Sequence, residues 1–218
     1  MQGDLSISNN NKTVYMKKIQ TIWILLVAIL GMHSLALAQK VLLDEDFNTN
    51  KNNWLSNLGA KTNYVIYNGK YIIGINDSST YNITSPAALD DGINFTISLT
   101  TTHTDGTNNH AYGIFFGSSD VNNYYCFNIT SGGYFRFAKS AAGAFTEIVP
   151  WTKTTAVRTG DYVENVLQIT RQGANWTLSI NGQTVSTVPA TAFLGNKLGL
   201  NQSMNQRVEY DNFKVVQN

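Results

Sequence analysis

The sequence predicts an all-β fold of two packed antiparallel sheets over residues 39–218. Short segments rich in Thr, Asn, Gly, Tyr, Ile and Val recur there, separated by turn residues. Asn-Gly or Gly-Gly pairs stand at three of the junctions, Asn68-Gly69, Gly132-Gly133 and Asn181-Gly182. Beyond residue 39 no stretch shows the 3.6-residue apolar period of a helix. About a dozen strands at short spacing, with no internal repeat and no linker, make one sandwich or barrel rather than a propeller or two domains.

The elements follow in order. Val41 to Phe47 is a first strand. Tyr64 to Tyr67 and Tyr71 to Ile73 flank Asn68-Gly69, a pair that accepts the positive φ angles of a type I′ hairpin. From Ile93 to Thr101, Ile93, Phe95, Ile97 and Leu99 alternate with polar residues, so one face is core and the other wetter. Tyr112 to Gly117 and Tyr124 to Ile129 carry large residues on both faces, so both faces are covered or one lines a groove. Gly132-Gly133 turns the chain into Tyr134 to Ala138. A loop with Pro150 and Trp151 precedes Val166 to Arg171. Trp176 to Ile180 alternates Trp176, Leu178 and Ile180 with polar residues, which assigns Trp176 to the core. Asn181-Gly182 leads into Thr184 to Val188, and Lys197 to Leu200 and Val208 to Val216 end the chain.

Residues 1–38 read differently. Met16-Lys17-Lys18, the apolar run Ile22 to Gly31 and the small residues of Ala36-Leu37-Ala38 have the order of a secretory signal peptide over 16–38. Cleavage is expected between Ala38 and Gln39. The apolar run is short for a bilayer span, so no membrane anchor is expected after cleavage. Residues 1–15 read as an extension ahead of the true initiator Met16, and no Cys stands at the cleavage point for lipidation. The chain is therefore expected to be exported, to the periplasm, the cell surface or the medium.

Residues 1–38 hold three of the 15 basic residues (Lys12, Lys17, Lys18) and one of the 14 acidic ones (Asp4), so residues 39–218 are near neutrality. No Lys/Arg run is present, which argues against nucleic acid or an anionic membrane as partner. A single Cys, Cys126, excludes an internal disulfide framework and reads as a small buried hydrophobe.

Several segments carry a resemblance. Leu43-Asp44-Glu45-Asp46-Phe47 with Trp54 opens the domain. Ala111-Tyr112-Gly113-Ile114-Phe115-Phe116-Gly117, Asn123-Tyr124-Tyr125-Cys126-Phe127-Asn128-Ile129 and Gly132-Gly133-Tyr134-Phe135-Arg136 form its middle. Asn165, Leu167 and Ile169, then Ile180-Asn181-Gly182, then Tyr210-Asp211-Asn212-Phe213 complete it. Together these resemble the laminin-G/concanavalin A-like jelly rolls, near the 3-keto-disaccharide hydrolase-like family of Bacteroidetes-type bacteria. The resemblance implies a concanavalin A-like jelly-roll sandwich in a bacterium of Gram-negative type. It does not choose a function, because that superfamily holds lectins, glycan-binding modules, glycosidases and adhesion domains.

Three readings stay open: a carbohydrate-binding, lectin-like module without catalysis, a glycoside or 3-keto-disaccharide hydrolase, and a structural or adhesive protein-binding sandwich. Glycosidases need two carboxylates flanking the scissile bond, and the Glu-x-Asp-x-x-Glu strand pattern that glucanases of this fold carry is absent. Glu147, Glu164 and Glu209 are isolated, whereas Asp44 and Asp46 share a face of the first strand. His103 and His110 lie near Asp105 in a segment that reads as a hairpin loop. No catalytic residue is nominated, and the binding reading leads. Sugar sites use aromatic faces with amides and carboxylates around them, which nominates Trp54, Tyr124, Tyr134 and Trp151. No cofactor is required. The resemblance also implies a structural calcium between the first and last strands, with Asp46 and Asp211 as its ligands, or else turns and bulges shaped by the same residues.

Overall fold

Period-two alternation is what builds the two layers. The protein is described by a computed structural model over residues 39–218, which form one compact unit. The expected extension over 1–15 and the expected signal peptide over 16–38 lie outside the described residues. The strands are β1 (Lys40–Glu45), β2 (Asn57–Leu58), β3 (Thr62–Tyr67), β4 (Lys70–Ile75), β5 (Tyr81–Ala88), β6 (Phe95–Gly106), β7 (Tyr112–Asp120) and β8 (Asn123–Thr130). They continue as β9 (Tyr134–Ala141), β10 (Ala144–Lys153), β11 (Glu164–Gln172), β12 (Asn175–Ile180), β13 (Gln183–Pro189), β14 (Lys197–Gln202) and β15 (Gln206–Gln217). A nine-stranded sheet runs β13-β12-β11-β6-β15-β4-β3-β2, with β1 also paired to β15, and a six-stranded sheet runs β10-β9-β8-β7-β14-β5. Every pairing is antiparallel. Among the described residues no helix is long and apolar enough to cross a membrane.

The core lies between the sheets. Phe95, Ile97 and Leu99 of β6, Leu167 and Ile169 of β11, and Trp176, Leu178 and Ile180 of β12 face it from the larger sheet. Tyr112, Ile114 and Phe116 of β7, Tyr125, Phe127 and Ile129 of β8, and Phe135 and Phe137 of β9 face it from the smaller one. Trp176 sits edge-on to Tyr125 at 4.9 Å between centroids, which confirms its core assignment. Burying each side chain of this size stabilises the fold by roughly 2–3 kcal/mol. Asn68 and Gly69 have φ of 51° and 70°, and Asn181 and Gly182 of 51° and 80°, the left-handed pairs that type I′ hairpins require.

Three local expectations need correction. Pro150 and Trp151 are in β10, not a loop. Pro is tolerated there because β10 is an edge strand whose register shifts twice near it. β5, which the alternation did not reveal, is the opposite edge and contains Pro86 for the same reason. His103 is also not in a hairpin loop. β6 continues to Gly106, and His103 keeps the inward parity of Phe95, Ile97 and Leu99, stacking on Tyr112 of the opposite sheet at 6.0 Å. Tertiary pairing with β15 carries this Thr-rich segment beyond its weak local pattern.

Candidate functional site

Antiparallel register sets side chains in rows across the outer face of the six-stranded sheet. One row runs Arg136, Asn128, Gly113, Asn201 and Asn82 over five strands. Gly113 has no side chain to interpose, so Asn128 Nδ2 donates across it to Asn201 Oδ1 at 2.8 Å. Asn201 Nδ2 in turn donates to Asn82 Oδ1 at 2.6 Å. The next row runs Glu147, Ala138, Cys126, Phe115 and Gly199. Phe115, Cys126 and Ala138 are buried as a small apolar cluster, with Tyr124 packed against it. This explains why β7 and β8 are apolar on both faces. The inner face builds the core, and the outer face is a close-packed floor of apolar and amide side chains.

Arg136 rises from the end of this floor. Its guanidinium carbon lies 4.8 Å from the Phe145 ring centroid and 4.7 Å from that of Trp151, contacts that are favourable because the ring faces carry negative potential. Glu147 Oε1 is 3.8 Å from Nη1, too far for a hydrogen bond. Nε is buried without a hydrogen-bond partner, and so is Asn128 Oδ1 in the same row. On the same face Tyr134 stands two residues before Arg136, with Lys153 Nζ 5.7 Å from its ring centroid. Burial pushes the Tyr124 hydroxyl above its ordinary value and the Cys126 thiol up to about 12, so Cys126 is a packing residue and not a nucleophile.

Beyond Lys153 the face opens into an end cleft of about 770 Å³. It is lined by Thr107, Asn108, Ser131, Lys153, Thr159 and Asp161, with Gly106, Gly132 and Gly160 completing the wall. The segment between β10 and β11 is tied over this end: Thr154 N donates to Gly133 O at 3.0 Å, Gly160 N to Ser131 O at 3.0 Å and Tyr162 N to His103 O at 2.7 Å. His103 Nδ1 lies 2.7 Å from Asp161 Oδ1, while its Nε2 is buried without a partner. His110 is held apart, with Nδ1 2.7 Å from Met204 O. Sequence proximity had put Asp105 beside the histidines. The strand parity of His103 instead points it inward, towards a residue 58 positions away.

Three of the four nominated aromatics, Tyr124, Tyr134 and Trp151, fall on the outer face of the six-stranded sheet. Trp54 does not. It is 3% exposed, 5.3 Å from Phe47 and 5.4 Å from Tyr71 between centroids, and its Nε1 donates to Glu45 Oε2 at 3.0 Å. Arg136, Phe145, Asn128 and Asn201 were missed. The alternation of β9 with Arg136 in phase with Tyr134 was the available signal.

Asp46 follows β1 and Asp211 lies on β15, and those strands do pair. The carboxylates are nevertheless engaged by cationic side chains: Lys51 Nζ is 3.5 Å from Asp46 Oδ1 and Lys70 Nζ 2.7 Å from Asp211 Oδ2. Asp46 also accepts hydrogen bonds from the backbone and side chain of Asn48. Among the described residues no group of three or more His, Cys, Asp or Glu side chains could hold a metal ion. The donor set does not fit the six to eight oxygens of a calcium cage.

Comparison with known proteins supports the architecture. Among solved structures the chain is similar to the CBM2 module of the Lactobacillus casei BL23 phage J-1 evolved Dit, with TM-score 0.53 and 9% identity over 82% of this chain and 95% of that one. It is also similar to the xylan β-1,4-xylosidase from Bacillus halodurans C-125, with TM-score 0.53 and 10% identity over 80% of this chain and 39% of that one. A sialidase matches with TM-score 0.55 and 10% identity over 79% of this chain and 18% of that one. No protein-family model and no curated protein matches the sequence. At such identities the likeness establishes an all-β, two-sheet sandwich fold and nothing finer.

Proposed function

We propose that this chain is an exported carbohydrate-binding protein, without catalysis, whose ligand lies across the outer face of the six-stranded sheet. The observation that carries this reading is the Arg136 guanidinium, which contacts the Phe145 and Trp151 rings, has Glu147 only at ion-pair distance and keeps its Nε without a hydrogen-bond partner. Aromatic contact orients the cation and leaves N–H donors for ligand oxygens. Trp151 and Tyr134 supply ring faces for the C–H side of a sugar. The solved structures of similar fold include a sialidase and a xylosidase, which is in keeping with a sugar ligand. Export rests on the basic, apolar and small-residue order of residues 16–38.

Hydrolysis, the alternative raised by the resemblance to 3-keto-disaccharide hydrolases, needs two carboxylates across the reacting bond. The end cleft presents one, Asp161. The test is an oligosaccharide array probed with the purified protein beside its Trp151→Ala and Arg136→Ala variants. Binding lost in both variants with unchanged far-UV circular dichroism is the expected result. Absence of binding to every neutral and acidic glycan sinks the reading and shifts it to a protein-facing sandwich.

A further inference from the structure

We infer that the end cleft is a second ligand site, distinct from the aromatic face, built to take one neutral polyhydroxylated ring such as a terminal sugar residue. The inference rests on the carbohydrate reading of the adjoining face, which meets the cleft at Lys153.

The chemistry of the lining selects the ligand class. Ser131, Thr107 and Thr159 contribute hydroxyls, Asn108 an amide, Lys153 an ammonium and Asp161 a carboxylate. Ligand hydroxyls both donate and accept, so a ring bearing several of them matches this mixture of donors and acceptors. The single positive and single negative groups offset each other, which disfavours an anion or a cation. No aromatic ring lines the cleft, which disfavours a flat apolar ligand.

Two independent observations show that the cleft is built. Ser131 is 2% exposed, and its Oγ has no hydrogen-bond partner although it lines the cleft wall. Buried hydroxyls are nearly always paired, so an orphan at a cleft marks a place for an outside partner. Asp161 is held at one oxygen only. Oδ1 is fixed by His103, itself locked between the sheets, while the half-exposed side chain keeps its second oxygen without a donor among the described residues. His103 is thus a positioning residue: its ring holds the carboxylate from behind and does not itself line the cleft.

The test is a titration of the full protein with the methyl glycosides of xylose, glucose and galactose, followed by amide chemical shifts. Shifts confined to Gly106, Asn108, Gly132 and Gly160 are expected. Asp161→Asn should weaken them about tenfold or more, the loss of one charge-assisted hydrogen bond. Ser131→Ala should weaken binding while melting at or above the wild-type temperature, because it removes an orphan donor. A purely structural Ser131 would leave binding intact. Trp151→Ala should leave the cleft shifts unchanged. A silent cleft with all three glycosides, or shifts undiminished in both Asp161→Asn and Ser131→Ala, overturns the inference. A silent cleft in a protein that still binds oligosaccharides through Trp151 leaves the face reading standing. Cleft binding without any oligosaccharide binding defeats the face reading instead.

Discussion

Asn128 Nδ2 and Asn201 Oδ1 meet at 2.8 Å above Gly113, which separates their strands and contributes no side chain. The bond, with its continuation to Asn82, locks three of the six strands from the outer face, where backbone pairing alone would leave the amides free to turn. Replacing Asn201 by Ala strands Asn128 Nδ2 in a buried position. The expected cost is about 1–3 kcal/mol in urea unfolding, or a fall of very roughly 2–10 °C in melting temperature for a domain of this size. A variant as stable as wild type would show that the ladder is not a structural tie.

Glu45 anchors the other end of the molecule. It is fully buried, and its carboxylate accepts from Phe47 N at 3.0 Å, Trp54 Nε1 at 3.0 Å and Asn52 Nδ2. Glu45→Ala removes acceptors from three donors at once and should destabilise by about 2–4 kcal/mol. Trp54 fluorescence should shift to the red as its indole loosens. A native emission maximum and wild-type stability would contradict the role given to this carboxylate.

Cys126 should be inert in the folded protein. Its thiol is buried under Tyr124 beside Phe115, and the same burial that raises its pKa to about 12 denies reagents access. Ellman's reagent is expected to titrate no thiol natively and one per chain in guanidinium. Fast native reaction would mean that the outer floor opens.

The turn carboxylates predict how the protein responds to acid and to calcium. Hydrogen bonds from Asn48, Ser79 and Asn122 hold Asp46, Asp77 and Asp120 respectively below the usual carboxylate range. Groups depressed in the folded state add stability above their unfolded pKa and lose it as pH falls through the folded value. Melting temperature should therefore be level from about pH 5 to 8 and fall below about pH 4. Because Lys51 and Lys70 engage Asp46 and Asp211, calcium and chelator should give the same melting curve. A rise in calcium would restore the ion between β1 and β15.

The sequence by itself determined the layers. Phe95, Ile97 and Leu99, or Trp176, Leu178 and Ile180, fall on one face of a strand whatever the strand pairs with, because the side-chain period is two. Asn68-Gly69 and Asn181-Gly182 likewise specified their turns locally, through the φ angles those residues tolerate. The sequence also nominated Tyr134 and Trp151, as aromatics on or next to the strands that carry large residues on both faces. Only the tertiary structure decided which residues they work with. Arg136 meets Trp151 through the shifted register of β10 on β9, and Asn128 meets Asn201 through β7 and the non-sequential neighbour β14. His103 finds Asp161 and not Asp105 because pairing with β15 extends β6 and turns the imidazole inward. Trp54, nominated alongside Trp151, went to the core because Glu45 and Phe47 wait for it there. Periodicity is a local property and can be read along the chain. A site is a set of contacts between distant strands, and register and strand order exist only once the sheets have formed.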